Sequence, residues 1–107
     1  MANLYKNAKL DLTTTGVTVL YTAAAAKTAI FKSILVSEDS GNADTITVTI
    51  TDAAAAIFSL FKVKAVSANT TVELLTAPLV VETGEIIKVT AATANRLHVV
   101  ASYLEVS

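Results

Sequence analysis

Apolar and polar side chains alternate along most of this chain with a period of two. The segment Asp44–Thr51 shows the pattern best, because Ile46, Val48 and Ile50 fall on one side of an extended backbone and four threonines fall on the other. Valine, isoleucine and threonine together supply 36 residues, and β-branched side chains favour strands over helices. The pattern therefore predicts a protein built of β-strands.

Turn residues divide this pattern into eight or nine short strands. We expect them at 4–12, 17–22, 27–38, 44–51, 57–63, 70–75, 79–81, 86–90 and 97–106. Asp39–Ala43 predicts a hairpin, and Ala53–Ala56 predicts a turn, or at most one helical turn, since four alanines are too few to nucleate a helix. Strands at this spacing predict an all-β fold, an antiparallel β-sandwich with either jelly-roll or immunoglobulin-like topology.

The length fits one domain, and we assign residues 1–107 to a single sandwich. The strand at 27–38 is apolar on both faces, with Ile30, Ile34 and Val36 on one of them, so we expect it to be central. Residues 1–12 have a mixed pattern that predicts an edge strand or an N-terminal arm. The expected core consists of Ile34, Val36, Ile46, Val48, Ile50, Val72, Leu74, Ile87, Val89 and Val99.

Charge and cysteine content exclude several classes of protein. Eight basic and nine acidic residues are spread along the chain, which argues against a nucleic-acid binder. The sequence has no cysteine, so it forms no disulfide framework and no thiolate metal site. No apolar run reaches the roughly 18 residues of a spanning helix, and residues 1–7 do not resemble a secretory signal, so we expect a soluble product made in a cytosol.

Two groups of residues are candidates for chemistry, and each has a simpler interpretation. His98 is the single histidine, and nothing near it in sequence orients it as a base, so we interpret it as a cross-strand or interface histidine. Oxygen ligands for calcium are available in the loop formed by Glu38, Asp39, Asn42 and Asp44, but their spacing favours a solvated turn. We therefore expect no enzyme activity, no small-molecule substrate, no cofactor and no metal.

The low proportion of charged residues, 16%, points instead to assembly. Ordinary soluble domains carry about 25% charged residues, so this surface should expose apolar patches of the kind that contact other subunits. The first strand carries apolar side chains that are costly to leave in water. We predict that the interface includes Leu4, Tyr5, Leu10 and Leu12.

Several segments resemble small virion structural proteins of tailed bacteriophages, particularly those of marine and cyanobacterial phages. The resemblance lies in Gly16–Thr22, Lys27–Val36, Leu74–Thr90 and Ser102–Glu105, and it extends over roughly residues 12–106. It consists of a β-rich pattern and contains no catalytic signature.

The resemblance implies a β-sandwich subunit that is repeated on a virion after synthesis in the host cytoplasm. Its expected role is capsid decoration, in which a cement protein bridges neighbouring capsid subunits. The expected partners are the major capsid protein, other virion proteins and further copies of the chain, with no nucleic acid and no membrane. A neck or tail component is the alternative. A carbohydrate-binding attachment module is disfavoured, since the chain has no tryptophan and 6% aromatic residues.

Overall fold

The computed structural model of the protein describes residues 3–107 and contains nine strands in that range. These are β1 (Asn3–Asp11), β2 (Thr18–Thr22), β3 (Thr28–Glu38), β4 (Asp44–Thr51), β5 (Ile57–Val66), β6 (Thr71–Glu73), β7 (Leu79–Val81), β8 (Ile86–Ala91) and β9 (Leu97–Val106). Within the same range, no helix is long and apolar enough to cross a membrane. The all-β prediction is confirmed.

The strands form two antiparallel sheets. Sheet A has the order β1-β9-β3-β6, with β7 also paired to β3, and sheet B has the order β2-β8-β4-β5. Because β9 occupies one side of β3 along its whole length, β6 and β7 share the other side, where they act as one interrupted edge strand. The sandwich therefore has four strand positions in each sheet.

This strand order decides between the two topologies that the sequence left open. The first and last strands lie side by side in sheet A, and β1 and β2 lie in different sheets. An immunoglobulin-like sandwich would instead place its first two strands together in one sheet. With β6 and β7 counted as one strand, chain neighbours lie in opposite sheets except for the β4–β5 hairpin, which is the arrangement of a jelly roll.

One core lies between the sheets, and the predicted core residues line it. Eight of the ten predicted positions are buried, while Ile50 and Val72 are half-buried and pack against the rest. This core contains an aromatic cluster of Tyr21, Phe31 and Tyr103, whose ring centroids lie 4.7 to 5.2 Å apart. Edge-to-face and stacked contacts of this kind add to the stabilisation from buried area.

The predicted hairpin at Asp39–Ala43 is wrong. β3 belongs to sheet A and β4 to sheet B, so residues 39–43 carry the chain from one sheet to the other. Period-two alternation reports which faces of a strand are buried, and it does not report which sheet the next strand joins. The predicted turn at Ala53–Ala56 is confirmed, and Asp52 Oδ1 accepts 2.9 Å hydrogen bonds from the N–H groups of Ala54 and Ala56.

A bulge in β3 corrects a second prediction. The register of β3 against β9 shifts between Phe31 and Ser33, so the inward side changes phase there. Ala29 and Phe31 are buried before the shift, and Ile34 and Val36 are buried after it. Ile30 therefore lies on the outer face of sheet A, opposite to the face that it was predicted to share with Ile34.

Candidate interaction surface

A row of four apolar side chains crosses the outer face of sheet A. Tyr5 of β1 pairs with Leu104 of β9, Leu104 pairs with Ile30 of β3, and Ile30 pairs with Val80 of β7. Residues directly opposite one another in antiparallel strands have their side chains in contact range. Tyr5 is 77% exposed and Val80 51% exposed, while the two central residues are half-buried. We call these four residues the apolar row.

A second, shorter apolar pair lies on the same face. Val100 of β9 and Leu35 of β3 are register partners, and each is 38% exposed. They are flanked by Lys9 on β1 and by Glu73 on β6, so this row ends in one charge of each sign. Apolar positions bordered by charged and polar ones are typical of protein contact surfaces.

Polar side chains separate the apolar row from this pair. Asn7, Ser102 and Ser33 occupy the intervening register positions. An open cavity of about 290 Å³ lies there, lined by Tyr5, Lys6, Asn7, Lys32, Ser102 and Tyr103. The outer face of sheet A thus has a shallow depression as well as an apolar band, and both properties suit a protein partner.

The predicted interface residues fall into three environments. Leu4 and Tyr5 are exposed on the edge strand β1, at 50% and 77%. Leu10 is half-buried against the protein's own core. Leu12 is 2% exposed and its N–H donates a 3.0 Å hydrogen bond to the carbonyl oxygen of Leu97, so its assignment to an interface is wrong. Leu12 lies beside the buried Leu97 of β9, two residues after Leu10 and on the same inward side.

Three members of the apolar row were not predicted as interface residues. Ile30, Val80 and Leu104 are separated by dozens of positions in the sequence, and the strand order of sheet A brings them together. The bulge in β3 also changes the phase of the alternation after Phe31, so periodicity alone places Ile30 on the wrong face. Each of these residues lies in a segment that resembles phage virion proteins, but the sequence of those segments does not indicate that the three side chains share a face.

A polar network closes the gap between the sheets beside β1. Glu105 of β9 accepts a hydrogen bond from Lys6 Nζ at Oε1 and from the Tyr21 hydroxyl at Oε2, both at 2.9 Å. The bond from Lys6, together with that from Tyr21, holds the pKa of Glu105 below its usual value. Burial, reinforced by the Glu105 carboxylate, raises the pKa of Tyr21 well above that of an exposed tyrosine. This network was not predicted.

The Glu38 carboxylate organises the loops at one end of the sandwich. Its Oε2 accepts hydrogen bonds from the Ser40 hydroxyl and N–H, and its Oε1 accepts 3.1 Å bonds from the N–H groups of Gly41 and Asn69. The bond from Ser40 is the main cause that lowers the pKa of Glu38 from 4.5 to about 2, and the backbone N–H groups act in the same direction against desolvation. Glu38 is thus a buried structural carboxylate, 1% exposed, and its prediction as a solvated turn residue is wrong.

The remaining loop residues do not gather around a metal position. Asp44 is buried and its Oδ2 accepts a 3.1 Å bond from the Thr93 N–H, so the prediction of a solvated turn is wrong for Asp44 too, while Asp39 and Asn42 are exposed. Residues 3–107 contain no group of three or more His, Cys, Asp or Glu side chains placed to hold a metal ion. In Glu38, both carboxylate oxygens are already occupied by N–H and O–H donors.

His98 lies between two carboxylates at the β1 edge of sheet A. Its Nε2 is 3.3 Å from Asp11 Oδ1, and Asp11 is its register partner on β1, which confirms the cross-strand interpretation. Its Nδ1 is 3.7 Å from Asp39 Oδ2. In a nucleophile-activating pair, one ring nitrogen would face a hydroxyl or thiol. Here both nitrogens face a carboxylate, an arrangement that links β1 to the β3–β4 loop.

A second cavity, of about 280 Å³, opens between β5 and the segment 74–79. Its lining is apolar apart from Thr76, and small-molecule sites normally also contain several convergent polar groups that orient the ligand.

Comparison with known proteins identifies no relative by sequence. No family model matches the chain, and no curated protein matches it. Among solved structures, a chain in the structure of infectious bursal disease virus Gt strain is similar in fold, with a TM-score of 0.49 and 8% identity. The similarity covers 98% of this protein, which spans 30% of the length of that chain.

Proposed function

We propose that the protein is a non-enzymatic structural subunit of a tailed-bacteriophage particle, and that it decorates the head by binding neighbouring capsid subunits. The observation that carries the proposal is the apolar row on the outer face of sheet A. Three of its four residues, Ile30, Val80 and Leu104, lie in segments that resemble phage virion proteins. Contiguous apolar patches on a protein surface are typical of interaction sites.

The dimensions of this face suit a contact that is repeated many times. Four strand positions about 4.8 Å apart and nine residues at about 3.3 Å each give a face on the order of 600 Å². A standard stable interface buries about 800 Å² on each partner, so one copy would bind weakly through this face alone. Weak contacts suit a decoration protein, because copies that bridge subunits of a closed shell gain avidity.

The mechanism is stabilisation by differential binding. A subunit that binds the assembled shell and not the dissociated capsid protein lowers the free energy of the assembled state by mass action. This mechanism requires a complementary surface and no reacting group. It is consistent with the position of His98 between two carboxylates and with the structural role of Glu38.

Co-pelleting with phage heads that lack the protein tests this function. The Val80→Asp variant places a charge at the β7 end of the apolar row, where Val80 is exposed and far from the β1 edge. We expect it to weaken head binding roughly tenfold or more, because an unpaired charge would be desolvated in the contact. The matched control is Val19→Asp, since Val19 is also exposed but is paired with Lys88 in sheet B.

Equal loss of binding in both variants would contradict the assignment of the contact to sheet A, and no binding by the unmodified protein would contradict the decoration role. The number of copies per particle separates this role from the alternative. Hundreds of copies are expected for a decoration protein, and a few copies would indicate a neck or tail component.

A further inference from the structure

The four edges of this sandwich differ in how well they are protected from pairing. Edge strands expose unpaired backbone N–H and C=O groups, and proteins block them with short strands, bulges or irregular backbone. β6 and β7 have three residues each, and β2 has one register shift. β5 has two register shifts and contains Val63 at a φ of 51°, a value that is rare for a β-branched residue.

β1 has none of these protections. Its nine residues pair with β9 at nine consecutive positions without a register shift, and no strand formed by residues 3–107 lies on its other side. Of its three charged residues, Lys6 has its ammonium bound to Glu105 and Asp11 faces His98, which leaves Lys9 as the exposed edge charge. A long, regular edge of this kind is the part of a β-protein best suited to pair with another strand.

We propose that β1 pairs antiparallel with β1 of a second copy, around a two-fold axis that passes through Asn7. The two-fold axis makes the contact isologous, so every pair occurs twice except the one on the axis. With Asn7 opposite Asn7, the other opposed pairs are Lys6 with Ala8, Tyr5 with Lys9, Leu4 with Leu10, and Asn3 with Asp11.

These pairs are chemically complementary. Leu4 is half exposed in the single copy, and a leucine of the second copy covers part of it. The ring of Tyr5 lies against the stem and ammonium of Lys9, a pairing in which the cation and the aromatic face attract. The two Asn7 amides carry both donors and acceptors, so they can bond to each other across the axis.

Neighbouring registers of the two β1 strands give less favourable side-chain pairs. A shift that keeps both sandwiches on the same side of the joined sheet moves the axis by one residue along β1. Moving it to Lys6 opposes two lysines, and moving it to Ala8 leaves Leu4 without a partner and sets Leu10 against Lys6. Each of these shifts also leaves two residues of each β1 unpaired, whereas the Asn7 register pairs all nine residues.

The joined sheet would extend the apolar surface of sheet A. The apolar row would run from Val80 to Tyr5 and continue across the axis through Lys9, Val100 and Leu35 of the second copy. The combined outer face would be on the order of 1,200 Å², which exceeds the roughly 800 Å² that a standard stable interface buries on each partner. The dimer goes beyond the proposed function, and its tests use purified protein without phage heads, so either can fail while the other stands.

Cysteine cross-linking tests the register directly, because the natural chain has no cysteine. Directly opposed antiparallel residues have Cα atoms about 4.5–5.5 Å apart, which suits a disulfide. The Asn7→Cys variant should therefore form a disulfide dimer under mild oxidation. Tyr5→Cys alone should not, since a stagger of four residues separates its two copies by about 13 Å. A mixture of Tyr5→Cys and Lys9→Cys should again form a mixed dimer.

Self-linking of Tyr5→Cys at the efficiency of Asn7→Cys would overturn the register. If Asn7→Cys forms no disulfide dimer at the highest concentration at which it stays soluble, the proposed dimer is overturned.

Sedimentation equilibrium tests the dimer without a covalent bond. Asn7→Lys opposes two like charges on the axis and should weaken dimerisation roughly tenfold. The charge-matched control is Ser102→Lys, because Ser102 is the exposed register partner of Asn7 on β9, one strand inside the edge. Circular dichroism melting should show that both variants keep the stability of the monomer. Equal dissociation of both variants, or a wild-type protein that sediments as a monomer, would overturn the proposal.

Discussion

The hydroxyl of Tyr21 donates a 2.9 Å hydrogen bond to Oε2 of Glu105, and this bond joins sheet B to sheet A. Tyr21 lies on β2 and Glu105 near the end of β9, and Lys6 of β1 binds the other oxygen of the same carboxylate. The network thus holds the edge strand β1 and both sheets together beside the aromatic cluster.

Removal of the Tyr21 hydroxyl should destabilise the fold. Tyr21→Phe keeps the buried ring but loses a hydrogen bond to a charged acceptor, so we expect a loss of about 1–2 kcal/mol in the free energy of unfolding. Urea denaturation at neutral pH measures it. Tyr5→Phe is the control, since that hydroxyl is on an exposed side chain and should change stability by less than about 0.5 kcal/mol.

Acid should remove the contribution of Glu38. Its pKa is lowered to about 2, so the ionised carboxylate stabilises the folded state above the ordinary value of 4.5, and this stabilisation is lost as the pH falls towards about 2. We expect the stability difference between wild type and Glu38→Gln to be largest near neutral pH and to shrink across this window.

Denaturation curves at several pH values check the Glu38 prediction, with Glu82→Gln as the exposed control. A difference that does not change with pH would show that Glu38 contributes through packing alone.

A charge inside the core should be far more damaging than one on the surface of the same strand. Val48 is fully buried, and Val48→Asp should cost several kcal/mol because a carboxylate would lie unpaired between the sheets. Thr49→Asp lies next to it on the opposite face and should cost much less. Thermal melting of the two variants measures this difference in stability, and similar melting temperatures would contradict the assigned inner face of β4.

Chelation should leave the protein unchanged. The Glu38 carboxylate is saturated by N–H and O–H donors, so it has no free oxygen to bind calcium. We expect the same melting temperature with and without EDTA. A decrease in EDTA would mean that the 39–44 loop binds a cation through other groups.

Deletion of residues 1–7 should lower the intrinsic stability of the folded chain. Asn3–Asn7 pair with residues 102–106 of β9, so the deletion removes more than half of an edge strand and the Lys6 contact to Glu105. The first strand therefore packs on its own sandwich, and only point variants such as Asn7→Lys separate assembly from folding. A deletion variant that melts like the full chain would show that β1 contributes little to the monomer.

The sequence by itself determined the strands and their buried faces. Alternation in β4 correctly placed Ile46 and Val48 inside, and a mixed pattern correctly placed β1 at an edge. These are local properties, because the side chains of a strand point to alternate faces whatever the strand pairs with. For the same reason, the turn at Ala53–Ala56 could be read from a few adjacent residues.

Only the tertiary structure decided which strands are neighbours. The jelly-roll order, the apolar row and the carboxylate of Glu38 inside the loops all depend on pairs of residues far apart in the chain. Periodicity carries no record of those pairings, and the bulge after Phe31 reverses the phase within a single strand. The open edge of β1 is likewise a property of the sheet, since a strand becomes an edge through the absence of a neighbour on one side.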